Sequence, residues 1–423
     1  EVTEMITNQN LKLHNTSITA TIPADKEFVV SIFIKSDIIA DGGNGNVSSN
    51  TASGYQALYS NTTGGSNTAF GYQALYSNTN RNYNTANGSY SLYSNTTGNN
   101  NTANGSSALY NNTTGINNTA NGFNSLNKNT IGSYNTASGH YSLNNNTEGM
   151  NNTAIGTFAL TSNTLGGSNT AVGLNALSGN REGFDNTAIG TRALSLNYSG
   201  SSNTASGTQS LYSNTNGGYN TASGVYSLYL NSSGSYNTSL GFSSLYYNTG
   251  DHNTAIGGWA GRYLTTGSNN TIIGYNADAS TNSVSNEITL GNSSVTVLRS
   301  NATTITSLSD RRDKTDIADI SEGLPFIKQL RPVVFTWNTR DKAKVGIKSA
   351  GFIAQDLLAL QKQSKIGTNL DLVSENNPDK LEARYGNLLP VIVKAVQEQQ
   401  NIIDMQQKQI DELKKLVESL INR

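Results

Sequence analysis

Apolar and polar positions recur along most of this chain with a fixed period of 17 residues. The pentad Asn-Thr-Ala-x-Gly, or a close variant, opens each unit, and Leu stands at the ninth place of twelve successive units from Leu58 to Leu245. Such a period predicts one small structural unit stacked on itself, with each unit burying its apolar face against its neighbours. The first twelve units begin at Asn50, Asn67, Asn84, Asn101, Asn118, Asn135, Asn152, Asn169, Asn186, Asn203, Asn220 and Asn237.

The unit predicts short β-strands rather than helices. It contains several turn-prone residues and sustains no apolar spacing of three and four. Stacking would place small residues such as Ala52 in one ladder and the leucines in another. Gly at the fifth place and Asn at the twelfth, as in Gly54 and Asn61, are expected at corners because both tolerate positive φ. Fourteen units over residues 50–270 give a rod about 65 Å long at about 4.8 Å per coil.

One coil contains little apolar surface, which favours a core shared between chains. With one Leu and one or two Ala per unit, an isolated solenoid would be thin, so we expect three chains to share a core. The predicted fold is mainly β, a trimeric parallel β-roll or β-helix. It resembles the heads of trimeric surface adhesins and the shafts of phage fibres, although the unit is longer than the usual adhesin-head unit.

Tyr is concentrated in the repeats, which contain twenty of the 21 tyrosines, among them Tyr55, Tyr59, Tyr72 and Tyr76. One interpretation is that Tyr ladders stack and stiffen the roll, as cross-strand aromatic residues do. The other is that exposed Tyr and Asn rows bind carbohydrate, because aromatic faces stack on sugar rings and amides bond hydroxyl groups. The sequence favours stacking and selects no column for a ligand.

Composition excludes several classes of function. Of the 423 residues, 35% are apolar and 13% are charged, and the net charge of -1 lacks the basic bias of a nucleic-acid-binding protein. Without Cys there are no disulfides or thiolate ligands, and His14, His140 and His252 are too scattered for a metal site. No apolar run approaches the roughly 20 residues that span a bilayer. We expect no metal and no other cofactor.

Changes in pattern divide the chain into four segments. Residues 1–45 contain no repeat and predict a small β module, either a cap or an attachment to an unknown partner. Residues 46–281 form the shaft. Residues 282–306 form a β connector with final strands at Glu287 to Gly291 and at Val295 to Leu298, and residues 307–423 form a separate, charged domain.

The repeat becomes irregular at its C-terminal end. One unit is a residue short, Gly261 and Asp278 then stand in place of Leu, and Trp259, Arg262 and Tyr263 appear nearby. An atypical terminal repeat is expected of a cap. Ligand binding at this irregular end is the alternative.

The end of the chain predicts a coiled coil at about 387–422. Apolar residues alternate spacings of four and three across roughly thirty residues. Gln399 and Gln406 share one heptad position, where they would lower stability and fix the register. We expect a trimer, although the heptad alone also allows a dimer. The seam consists of Ile392, Val396, Gln399, Ile403, Gln406, Ile410, Leu413, Val417 and Leu420.

Several ordered motifs in the C-terminal domain carry a resemblance to a known family. They are Ser309-Asp310-x-Arg312-x-Lys314, Leu330-Arg331-Pro332-Val333, Gly351 to Asp356 with Gln355, and Tyr385 to Pro390 followed by Gln397 to Gln400. From about Ser307 to Arg423 the chain resembles the C-terminal intramolecular chaperone of endosialidase-type tail spikes, the peptidase S74 family.

The resemblance implies a small α+β domain that trimerises, templates the folding of the fibre and then cuts itself away, with no external substrate. Ser309 would be the nucleophile, Lys314 its base, and the bond between Leu308 and Ser309 the one that breaks. A Ser hydroxyl needs a base to take its proton, and a partly desolvated Lys can serve once its pKa falls. Asp310 and Arg312 would organise local charge.

Repetition itself gives a reason for such a domain. Three chains with interchangeable coils can pair in slipped registers that bury nearly the same surface. A trimer nucleated at the C-terminus would remove that freedom.

Together these features predict a homotrimeric fibre on a virion or otherwise outside the cell, with a cell-surface glycan or another surface molecule as its receptor. A bacterial adhesin or filament is the alternative, and a scaffold without a ligand is another. A polysaccharide-degrading spike is less favoured because a glycosidase needs two carboxylates across a cleft. The acidic residues between positions 50 and 277 are Glu148, Glu182, Asp185 and Asp251.

Overall fold

The computed structural model describes residues 11–13, 16–18, 49–295, 297–300, 309–340, 342 and 344–422. Near the N-terminus, β1 (Leu11–Leu13) and β2 (Thr16–Ile18) form an antiparallel pair. The rest of the predicted N-terminal module lies outside the described residues.

A β-solenoid follows, in which every coil contributes one strand of three residues. Fifteen strands form a single parallel sheet in chain order, and each residue pairs with its equivalent in the next coil. The stacked 17-residue β unit predicted from the sequence is confirmed. The strands are β3 (Thr51–Ser53), β4 (Thr68–Phe70), β5 (Thr85–Asn87), β6 (Thr102–Asn104), β7 (Thr119–Asn121), β8 (Thr136–Ser138), β9 (Thr153–Ile155), β10 (Thr170–Val172), β11 (Thr187–Ile189), β12 (Thr204–Ser206), β13 (Thr221–Ser223), β14 (Thr238–Leu240), β15 (Thr254–Ile256), β16 (Thr271–Ile273) and β17 (Ile288–Leu290).

The sheet ends at β17, inside the segment predicted as a connector. Glu287 closes the solenoid there, because its carboxylate accepts hydrogen bonds from the Ser280 backbone N–H (2.8 Å) and the Thr289 hydroxyl (2.9 Å). The strand predicted at Val295 to Leu298 is wrong for the three of its residues that the structure describes, which are irregular.

Two ladders of apolar side chains fill the solenoid. The middle residue of each strand, usually Ala, points inward, and the ninth-place Leu residues from Leu75 to Leu245 are fully buried in the same cluster. Each coil therefore closes its core within one chain, and the prediction that three chains share these columns is wrong. One Leu suffices because small Ala residues let the walls of the coil approach and buried Asn side chains occupy the remaining interior.

The buried Asn side chains form two further ladders. At the first place, Asn152 donates from Nδ2 to Gly166 O (2.9 Å) and accepts the backbone N–H of Asn169 at Oδ1 (3.1 Å). At the twelfth place, Asn146 donates from Nδ2 to Asn129 Oδ1 of the preceding coil (2.8 Å). These amides tolerate burial because their polar atoms have partners.

Positive φ angles occur at places the sequence did not indicate. Fifth-place Gly has φ of 129 to 141°, as predicted, and a Cβ on Gly156 would lie 2.6 Å from Gly173 O. The twelfth-place Asn residues do not have positive φ, so that prediction is wrong; their side chains serve the interior instead. Ninth-place Leu has φ of 48 to 54°. This conformation costs roughly 1–2 kcal/mol per residue, and complete burial of the Leu side chain offsets it.

The last repeats keep the core filled with different residues. Where Gly261 replaces Leu, Ile272 occupies the space, with its Cδ1 3.0 Å from the point where a Gly261 Cβ would lie. Leu264 replaces a twelfth-place Asn and is buried. Before it, the one-residue deletion interrupts the Asn ladder, and Asn231 Oδ1 is buried without a hydrogen-bond partner among the described residues. These replacements fit the predicted cap.

The C-terminal domain is a small α+β unit around a core of Phe326, Leu357, Leu372, Leu388 and Val391. A 3-10 turn at Arg311–Asp313 opens it and a second one spans Tyr385–Leu388. The remaining elements are α1 (Leu324–Ile327), an antiparallel pair β18 (Val333–Asn338) and β19 (Val345–Gly351), α2 (Ala354–Gln363), α3 (Gly367–Leu370), a second antiparallel pair β20 (Val373–Ser374) and β21 (Glu382–Ala383), and α4 (Leu389–Ile421).

The 33-residue helix α4 confirms the long C-terminal helix predicted from the heptads. Its first turns bury Val391 and Ala395, and α1 approaches them so closely that a Cβ on Gly323 would lie 2.5 Å from Ala395 N. Glu398 accepts the Leu324 backbone N–H (2.7 Å) at the start of α1. Within the described ranges, no helix has both the length and the apolar composition required to cross a membrane.

Candidate functional site

Ser309 and Lys314, here called the dyad, meet at the start of the C-terminal domain. The 3-10 turn at Arg311–Asp313 reverses the chain between them, with the Lys314 backbone N–H bonded to Arg311 O (3.2 Å). Lys314 Nζ contacts Ser309 Oγ and lies 3.5 Å from Ser309 O. The turn therefore brings an amine to a hydroxyl across five residues of sequence, as a nucleophile and its base require.

Asp310 and Arg312 hold the turn that positions the dyad. Asp310 is the N-cap, and its carboxylate accepts the Arg312 backbone N–H (2.8 Å) and the Arg312 guanidinium (Nη2, 2.6 Å). The guanidinium bond, and then the backbone bond, hold the pKa of Asp310 below its usual value. The ion pair with Asp310 raises the pKa of Arg312. Both residues act on the backbone turn, and neither contacts the Ser309 hydroxyl.

The dyad is exposed in the single chain. Among the described residues, none covers Ser309 Oγ or Lys314 Nζ. Leu308, on the other side of the predicted scissile bond, lies outside the described residues. The described residues therefore supply a nucleophile and a base that are both in contact with solvent.

Three of the other sequence motifs contact one another. The Tyr385 hydroxyl donates to Phe352 O (3.2 Å) and accepts the Phe352 backbone N–H (3.1 Å). Arg331 lies 3.8 Å from Asp356. Gln355, one of the residues that carry the family resemblance, lies at the start of α2, is exposed and makes no hydrogen bond to either dyad residue.

The contacts that fix α1 on α4 are not predicted by any sequence pattern. Glu398 was visible only as part of a Gln-rich and Glu-rich run, and its bond to Leu324 spans 74 residues. A capping carboxylate at the start of a helix is recognisable from sequence only when it is local.

Comparison with known proteins bears on this domain. Residues 309–364 match the family model Peptidase_S74, the chaperone of endosialidase. The resemblance predicted from the motifs is confirmed for these residues. The match begins at the dyad serine and extends through β18, β19 and α2. No match was found among curated proteins. The endosialidase-chaperone segment and the β-solenoid before it together fit a phage tail-fibre-like protein.

The predicted seam of α4 is uncovered in the single chain. All nine seam residues, from Ile392 to Leu420, are exposed, and so is every residue from Gln399 to Asn422. The buried side chains Val391 and Ala395 lie on the face toward α1, separate from the seam. This leaves a helical face with a regular apolar repeat that no other described residue covers.

Stacked Tyr ladders are present in the shaft. Rings at the tenth place of successive units stack at 5.1 Å from Tyr59 through Tyr76 and Tyr93 to Tyr110. A second stack joins Tyr212, Tyr229 and Tyr246. The structural interpretation of these tyrosines is confirmed. In such a stack each inner ring has its two faces covered by its neighbours.

Proposed function

We propose that this chain is the subunit of a homotrimeric fibre, a phage tail fibre or a similar surface fibre, whose C-terminal domain aligns three shafts and then cuts itself off between Leu308 and Ser309. The observation that carries the proposal is the contact of Lys314 Nζ with Ser309 Oγ at the start of the endosialidase-chaperone segment. A bacterial adhesin or filament is the alternative setting for the same assembly.

The dyad supports cleavage at its own N-terminal peptide bond. Lys314 Nζ, when neutral, accepts the Ser309 hydroxyl proton as Oγ attacks the carbonyl carbon of Leu308. The C–N bond breaks, the Ser309 nitrogen leaves as an amine after taking a proton, and the acyl group of Leu308 remains as an ester on Ser309 Oγ. Water then hydrolyses the ester to a carboxylate and restores the hydroxyl. Because the dyad is exposed in one chain, we assign the exclusion of water from it to neighbouring copies. Cleavage then follows assembly.

The uncovered seam of α4 supports assembly from copies of the same chain. A helix without tertiary contacts is marginal in water, and a heptad seam is complementary to another helix with the same repeat. Gln399 and Gln406 can bond to the same side chains of other copies around an axis. Their two polar layers would fix both register and orientation.

Aligned helices would solve the register problem of the shaft. The strands of successive coils are interchangeable in sequence, so sliding one chain by one coil changes few contacts between chains. Three C-terminal domains that assemble first, here called the clamp, would hold the three shafts in one register at one end. The coils would then pair one after another from that fixed end. Removal of the clamp afterwards makes unfolding of the assembled shaft slow and hard to reverse, which gives kinetic stability.

After cleavage the shafts no longer share α4, so shaft surfaces must hold the copies together. The last four strands expose an apolar column at the fourth place of the unit, paired in register from strand to strand. We assign contacts between copies to this column. It consists of Leu240, Ile256, Ile273 and Leu290.

The fibre would bind a surface receptor, a glycan or another surface molecule, and attach through its N-terminal segment to a partner that the sequence does not identify. Of the acidic residues between positions 50 and 277, which are Glu148, Glu182, Asp185 and Asp251, only Glu182 and Asp185 are close in sequence, which disfavours a glycosidase. Surface attachment therefore remains the proposed role.

Denaturing electrophoresis of the purified protein tests the cleavage step. We expect the wild-type chain to yield two fragments divided near residue 308, whereas Ser309→Ala and Lys314→Ala remain full length. Asp313→Asn, which changes a neighbouring residue outside the dyad, is the matched control and should be cut. Full-length bands of equal intensity in wild type and Ser309→Ala would remove self-cleavage from the account.

A further inference from the structure

Tyr83 and Tyr134 are rings that the shaft does not use for stacking. They occupy the seventeenth place of their units and are 64% and 55% exposed. Within the described part of the chain neither ring has an aromatic partner, whereas Tyr219 and Tyr236, at the same place of later units, stack at 4.8 Å. Packing therefore explains the second pair of tyrosines and leaves the first pair unexplained.

The backbone disfavours Tyr at these two positions. Their φ angles are 61° and 62°, in the left-handed region that bulky side chains rarely occupy. Other units place shorter side chains there, such as Ser66, Asn151 and Ser168. The same positive φ occurs at this place in the other coils, so the conformation alone does not distinguish these two rings. Their exposure without a stacking partner does, because such a ring contributes little to folding.

Asn100 and Asn117 complete a row with the two rings. They occupy the same place in the two intervening coils, and their backbone N–H groups bond to Asn82 O (3.4 Å) and Asn99 O (3.1 Å). Their side-chain amides make no hydrogen bond to any described residue. Successive members of the row are one coil apart, so the two rings stand about 14 Å apart with two free amides between them.

We infer that this row of Tyr83, Asn100, Asn117 and Tyr134 binds a neutral oligosaccharide. An aromatic face packs against the apolar face of a sugar ring, and an amide both donates to and accepts from hydroxyl groups. The span of about 14 Å exceeds one sugar ring, so at least two sugar units would be engaged. None of the four side chains is charged, which matches an uncharged glycan. The inference rests on the proposed role of the fibre in surface attachment.

The stacked ladders are less suited to this role. The rings from Tyr59 to Tyr110 cover one another at 5.1 Å, so sugars could reach only their edges and the outermost faces. Rows with free ring faces are therefore the better candidates, and the row from Tyr83 to Tyr134 has free amides as well.

Binding of the full-length protein to a printed array of bacterial surface oligosaccharides tests the inference. The test variant is Tyr83→Asn with Tyr134→Asn, because Asn already occupies this place in other units and preserves the backbone conformation. The matched control is Tyr219→Asn with Tyr236→Asn, at the same place but within a stack. Light scattering verifies that all three proteins have the same mass in solution.

We expect the wild type and the control to bind the same neutral oligosaccharides, with binding by the test variant at least tenfold weaker. Equal binding by all three proteins would overturn the row as the site and leave surface attachment intact. Equal loss in both variants would also overturn it, since the loss would not be specific to the row. Absence of any saccharide binding by the wild type would overturn both the row and glycan attachment.

Discussion

Asn146 shows how a polar side chain supports a core as narrow as one coil. Its Nδ2 group donates to Asn129 Oδ1 and to Gly149 O (2.9 Å), and its Oδ1 accepts from Asn163 Nδ2 (2.8 Å). Each Asn side chain of the ladder therefore needs the Asn of the preceding coil as a hydrogen-bond acceptor. An interior of low polarity strengthens such bonds and makes an unpaired group costly.

Changing Asn146 to Asp should destabilise the shaft strongly. The substitution keeps the shape, removes both donated bonds and buries a carboxylate beside oxygen atoms. Loss of buried partners costs about 1–3 kcal/mol per group, so we expect the free energy of unfolding to fall by about 3 kcal/mol or more. Asn145→Asp, at the neighbouring and partly exposed position, is the control and should change it by less than about 0.5 kcal/mol. Chemical denaturation measures both, and equal effects would contradict the ladder's role.

Asp278 gives the end of the shaft a dependence on pH. Burial raises the pKa of its carboxyl to about 6, against a weak bond from the Tyr263 backbone N–H (3.4 Å) and the charge of Arg262. Because the folded state holds the proton more tightly than the unfolded state, stability is highest below the usual Asp pKa and decreases as pH rises to about 6.

Asp278→Asn should remove this component of the pH dependence. We expect the melting temperature of the variant to exceed that of the wild type at pH 7.5, and the difference to shrink at pH 4.5. Thermal unfolding followed by circular dichroism at the two pH values measures it. A constant difference between the proteins would show that Asp278 does not titrate as described.

At the scale of elements, the sequence predicted the strands and the helix that follow from a repeat period. It did not predict the features that follow from the course of the backbone within one coil. The 17-residue spacing located the strands, and the heptads located α4, because both periods place side chains on one face. The positive φ of Leu143 and the inward side chain of Asn146 follow from the closure of the coil, which the propensities of single residues do not describe. The contact of Lys314 with Ser309 was expected from family motifs, whereas the bond between Glu398 and Leu324 spans too many residues to be predicted.

The two Gln layers of α4 offer a test of its proposed coiled coil. Gln399→Leu with Gln406→Leu should raise the melting temperature of the helical signal, because two polar layers become apolar, and should broaden the distribution of assembly sizes. Gln400→Leu with Gln407→Leu changes the same residue type one position later, away from the seam, and serves as control. Circular dichroism at 222 nm and light scattering provide the two measurements. A lower melting temperature in the seam variant would contradict the seam.

At the scale of the whole molecule, the shaft and the clamp have different requirements. A regular repeat closes each coil within one chain and so cannot specify which coil of a neighbour lies beside it. In the proposed assembly α4 specifies this alignment, because its two Gln layers break the symmetry of the heptads. The exposed apolar column of β14 to β17 lies at the end of the shaft nearest in sequence to that clamp.

Charged residues in this column should separate the shafts only after the C-terminal domain has been cleaved off. We expect Ile256→Asp with Ile273→Asp to stay assembled when the chain also carries Ser309→Ala, and to separate into single shafts once the C-terminal domain is cleaved. Ser206→Asp with Ser223→Asp, in the same column at polar positions, should remain assembled in both cases. Sizes from gel filtration decide this, and a cleaved Asp variant that stays assembled would exclude the column as the contact.

The central claim is that the chain assembles in threes through its C-terminal domain. Light scattering during gel filtration of the uncleaved Ser309→Ala protein tests it most directly. The account predicts a mass three times the chain mass of 44.9 kDa, reduced to one chain mass when Ile410→Asp and Leu413→Asp disrupt the seam. A mass of one or two chains for the protein with an intact seam would contradict it.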